Sequence, residues 1–215
     1  DGLMDVFRIL DSLEAAPDAS IDPDKVDEVF EAYFSENFEA HKERLVKAYP
    51  HRAEPIEAAA QAHKADGFNG AYLSIPVFLA QADGLLSELL GIKSVFQKGG
   101  RAEFGVHVAR WDLADPVVKG LLEPLVSFGE LDLLAGQDQR AMKALASGQR
   151  FTALNRHQVM HGESSGYGSR VNSLKAFSLL AFVGLHVPDV VASVERRIAS
   201  ESTMQLAKPG DTQAP

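Results

Sequence analysis

Arg156 and His161 stand five positions apart in the stretch LNRHQVMHGESSGYGS, residues 154–169, together with Asn155, His157 and the glycines Gly162, Gly166 and Gly168. On a helix His157 and His161 share one face, one turn apart, and Arg156 sits beside His157. A guanidinium is always charged and grips phosphate through paired donors, while imidazole exchanges protons near neutrality. Placed at a helix start, such groups could meet an anion. They could also supply the proton transfers and charge stabilisation that a ribose 2′-hydroxyl needs to attack its own phosphate without a metal. Two other readings stay open. HQVMH has the histidine spacing of the H-E-x-x-H zinc-protease motif, but Gln158 replaces the glutamate base and no third ligand is identified, so a metal site is not expected. The stretch could also be a polar helix end followed by a glycine turn, with Tyr167 either stacking on a base or packing at the loop.

The charge distribution gives the first reading some weight. The chain of 215 residues carries a net charge of −9, which by itself argues against a nucleic-acid partner. Residues 1–66 hold 16 acids against 7 bases, whereas residues 136–176 hold two acids, Asp138 and Glu163, against six bases. The motif therefore lies in the one basic segment, which could equally balance an acidic surface at a subunit contact. Apolar residues make up 46% and cysteine is absent, so disulfides and thiolate metal sites are excluded. The chain is expected to hold no apolar run approaching the roughly 18 residues of a membrane span, and to have a cytoplasmic location without membrane association.

The elements that must position the motif are helices. After Asp22-Pro23, apolar residues at helical spacing (Val26, Val29, Phe30, Tyr33, Phe34, Phe38, Leu45) predict a long helix ending at Pro50. A shorter helix follows over Glu54 to Lys64. Residues 69–90 are nearly all apolar and predict a buried helix that Pro76 kinks or splits. Asp83 interrupts this run; it needs a basic partner, for which the motif arginine is a candidate, unless Gly84 ends the helix and leaves it solvated. Residues 95–113 read as an irregular or short hairpin insertion, and helix resumes from Pro116 to about Leu134. A turn or two over 139–146 and a short helix over 151–161 precede an apolar helix capped at Asn172-Ser173. A last helix opens at Pro188. One all-α domain over 23–203 is expected, between an N-terminal extension (1–22) and a disordered tail (204–215).

Arg156 to His161 resembles the arginine–(four to six residues)–histidine signature of HEPN domains, with His157 at the polar position after the arginine. NRHQVMHG with its glycine-bearing turn, and the internal segment IPVFLAQADG, are similar to bacterial HEPN-like proteins of uncertain role. The likeness covers about residues 72–85 and 150–182. It implies an all-α helical bundle that forms a homodimer, with the two motifs facing each other across the interface. It further implies a metal-independent endoribonuclease of defence or toxin–antitoxin systems, with RNA as substrate, an antitoxin or other protein as partner, and no cofactor. Arg156 and His161 would be catalytic, Asn155 and His157 would orient the substrate or those two side chains, and Arg150 and Arg170 would contact phosphates. The same fold could instead serve as a non-catalytic dimerisation or protein-interaction module. In this sequence Gly162 follows His161 at once, where the signature commonly opens a longer helix.

Overall fold

The computed structural model describes residues 23–65, 69–93, 106 and 132–206, and these form an all-α bundle with no strand among them. The helices are α1 (Pro23–Ala48), α2 (Ala53–Lys64), α3 (Ala71–Leu90), α4 (Gln137–Ser147), α5 (Arg156–Met160), α6 (Arg170–Leu185) and α7 (Val187–Leu206), with 3₁₀ turns at Pro50–Arg52 and Asp132–Leu134. The expected N-terminal extension, the insertion over 95–113 apart from Val106, most of the helix over 116–134 and the last nine residues lie outside the described residues. α7 runs on to Leu206, past residue 204 where the tail was expected to begin.

The centre is the pair α3 and α6, with α2 packed on α3 and with α1 and α7 packed on α6. α6 is apolar on nearly every side, the pattern of a helix enclosed by its neighbours. Phe177 from α6 meets Phe38 of α1 at 4.2 Å and Phe78 of α3 at 5.3 Å between ring centres. Both α3 and the span 170–197 are long and apolar enough to cross a membrane, which interrupted runs in the sequence had concealed; here they pack on each other as core helices.

Pro76 neither splits α3 nor ends it. A proline deprives the carbonyl four residues earlier of its helical partner, and that carbonyl, Tyr72, accepts from the Tyr167 hydroxyl at 3.2 Å. Gly84 also stays within α3, where the Arg52 guanidinium lies so close that a Cβ would sit 2.7 Å from Nη1. Arg52 thereby reaches Gln81 and Glu88.

The start of α6 corrects the expectation of a cap at Asn172-Ser173. Ser169 is the cap, its Oγ accepting from the Asn172 amide at 3.1 Å. Ser173 is instead fully buried, its Oγ 2.7 Å from Ser74 Oγ and 2.8 Å from His63 Nδ1. His63 stacks on Phe38 at 4.7 Å. Burial, with the positive charges of Arg170 and Lys64, pulls its pKa down to about 4, so the ring joins this network in its neutral form.

Candidate functional site

α5 is shorter than the helix expected over 151–161, and it begins at Arg156 because Asn155 caps it. Asn155 Oδ1 accepts from the Gln158 amide at 3.2 Å and from Arg140 Nη1 at 2.8 Å. Its Nδ2 donates to the carbonyls of Asp132 and Ala135. With both amide atoms engaged and 2% of its surface exposed, Asn155 is a buried clasp at the start of α5, placed to orient the motif side chains rather than to touch a substrate.

Arg140 is the other half of that clasp. It is the sole buried residue of α4. Besides Asn155 it reaches the Ala135 carbonyl, and its Nη2 donates to Glu163 Oε2 at 3.1 Å. Glu163 thus spans two elements: its other oxygen, Oε1, lies 3.1 Å from His157 Nε2. Sequence reasoning gave Arg140 no role and counted Glu163 only as an acid of the basic segment. One signal was available, since Glu163 is one of two acids in a segment holding six bases.

Arg156 points the other way. Its Nη2 meets Asp83 Oδ2 of α3 at 3.1 Å, with only 17% and 12% of the two side chains exposed. The structure therefore joins the buried acid of the apolar helix to the motif arginine, with α3 continuing past Gly84. His157 and His161 are both exposed and share a face of α5, their rings 4.3 Å apart and tilted by 47°. His161 occupies the C-cap, and Gly162 adopts φ +70°, a conformation that suits glycine at a helix end. The helix does not continue through Gly162.

The glycine-rich loop behind the motif is fastened to the start of α3. The Tyr72 hydroxyl donates to the Ser165 carbonyl, Asn69 to that of Gly168, and the Tyr72 and Tyr167 rings meet edge-on at 5.0 Å. At Gly168 a Cβ would fall 2.4 Å from the Tyr72 ring, so the close approach needs glycine. Tyr167 is accordingly a packing residue, half-buried against the core.

Of the two proposed phosphate contacts, Arg150 is exposed between α4 and α5, and Arg170 faces α1, near Glu31 and Ser35. Neither belongs to the hydrogen-bonded cluster around α5 among the described residues. No three histidine or acidic side chains among those residues gather as a metal site would require. A cleft lined by Lys42, Glu57, Ala60, Gln61 and Lys64 lies between α1 and α2, and no α5 residue lines it. No family model matches the chain, and no curated protein or solved structure does.

Proposed function

We propose that this chain is a HEPN-type module that cleaves RNA without a metal, the surface of α5 being its active site and a homodimer its working form. One observation carries the reading. Arg156, His157 and His161 are presented from a helix of five residues and its C-cap, and the start of this helix is locked by two buried polar side chains, Asn155 and Arg140. An ordinary surface helix end needs one capping side chain, not a buried guanidinium. In this scheme Asp83 directs Arg156, which stabilises the charge that develops on the phosphorane, and His161 transfers a proton. The products are a 2′,3′-cyclic phosphate and a 5′-hydroxyl.

The purified chain, incubated with mixed single-stranded RNAs in EDTA, is expected to cleave them and to leave DNA of the same sequence intact, since DNA lacks the nucleophile. Arg156→Ala and His161→Ala should each lower the rate by about 10²-fold or more while the folded state persists. Intact RNA with the wild-type chain refutes the proposal.

A second reading, a protein-interaction module without catalysis, draws on α4. This helix buries Arg140 and turns Met142 and Leu145 outward, 70% and 85% exposed. If that face assembles, Met142→Ser with Leu145→Ser will shift the sedimentation coefficient toward the monomer, and RNA will stay intact with both the wild-type and the substituted chain.

A further inference from the structure

We propose that His157 takes the proton in this reaction and that Glu163 and Arg140 are the positioning residues that prepare it; the inference rests on the ribonuclease reading above. Glu163 Oε2 is fixed by a guanidinium that is itself buried and anchored on Asn155 and the Ala135 carbonyl, so the acid is held from behind. Its other oxygen then stands 3.1 Å from Nε2 of His157. A carboxylate can only accept, and two lone pairs at that separation repel, so the neutral ring keeps its proton on Nε2. The basic nitrogen is then Nδ1. The chain of contacts thus selects one tautomer of an exposed imidazole, an arrangement in which a carboxylate sets which nitrogen works.

The neighbouring residues of the motif fit the same step. His161 lies against it on α5, and Arg156 occupies the next position, directed by Asp83 of α3. His157 Nδ1 accepts the proton of the ribose 2′-hydroxyl as that oxygen bonds to phosphorus. The bond from phosphorus to the 5′-oxygen breaks, and the leaving oxygen takes a proton from the His161 imidazolium. The step ends with cyclic phosphate, a 5′-hydroxyl, a charged His157 and a neutral His161, which exchange protons with solvent before the next turnover. His157 is therefore a catalytic residue here, where the sequence suggested only an orienting one.

The test combines kinetics with ¹⁵N chemical shifts of the imidazoles in the intact chain. His157→Ala should lower kcat by about 10²–10⁴-fold with KM changed far less. Glu163→Gln keeps the shape but can offer either an oxygen or an N–H to the ring. It should lower kcat about tenfold and convert the His157 signature from a single Nε2–H tautomer to a mixture, whereas a merely structural role would leave the tautomer unmoved. Glu163→Asp should restore the single tautomer and part of the rate. A wild-type chain that cleaves RNA while His157→Ala cleaves equally well overturns this inference and leaves the ribonuclease reading standing. So does a wild-type His157 protonated on Nδ1. A wild-type chain that cleaves no RNA overturns both.

Discussion

Two of the histidine-containing polar networks among the described residues differ sharply in their surroundings. In the first, Ser74, Ser173 and His63 link α3, α6 and α2, enclosed by Phe38 and the core around it. In the second, Asn155, Arg140 and Glu163 lead from a buried helix cap outward to His157 and His161. The first network begins and ends among neutral groups, and burial keeps its imidazole uncharged. The second uses charged members and ends where solvent reaches both rings. With the same residue type in opposite surroundings, the first network holds helices together and the second brings titratable groups to a surface.

Breaking the second network at its root should have the largest effect on stability. Arg140→Met leaves Glu163 and the Ala135 carbonyl without their guanidinium, and should cost about 2–3 kcal/mol in urea denaturation. Next comes the pair Asp83–Arg156. A double-mutant cycle with alanine at each position should give a coupling energy of about 1–2 kcal/mol, and additivity within about 0.3 kcal/mol would show that the two side chains do not support each other.

The first network should respond to acid. The folded-state pKa of His63, about 4, lies below the ordinary value of 6.5. The unfolded chain therefore binds the proton more readily, and stability falls as pH drops from about 6.5 toward 4, then levels off. Because His63 is only partly buried, solvent screening reduces the full linkage to about 1–2 kcal/mol. Comparing wild type with His63→Asn across that range should isolate this slope, and equal slopes in the two proteins would refute it.

The smallest effect concerns Pro76. Tyr167→Phe removes the donor to the Tyr72 carbonyl and should cost about 1 kcal/mol. In a Pro76→Ala background the same change should cost less, since the substituted residue regains a backbone N–H for that carbonyl. Equal costs in the two backgrounds would mean that Tyr167 does not substitute for the missing bond.

What the sequence made legible follows from the range of each interaction. The apolar stripes of α1, α2 and α3 mark helices because their periodicity is local, and Asp83 invites a basic partner because an acid in an apolar run must be compensated. The α6 cap was misplaced by three residues: Asn172 and Ser173 suit a cap, but Ser173 is committed to His63 and Ser74, more than 90 positions away. Of the two effects expected of Pro76, a split does not occur, and Tyr167 supplies a donor to the Tyr72 carbonyl from across the fold. Arg140 left no local trace, since its partners lie 15 and 23 residues downstream and one buried arginine alters no periodic pattern.

The loop from Glu163 to Ser169 holds two of the motif's three glycines, yet it is tied down through Ser165, Tyr167 and Gly168 to the first turn of α3. Its opening is thereby linked to that of a core helix. Amide hydrogens in this loop should exchange, and proteases should cut it, only as often as the N-terminal turn of α3 itself comes apart.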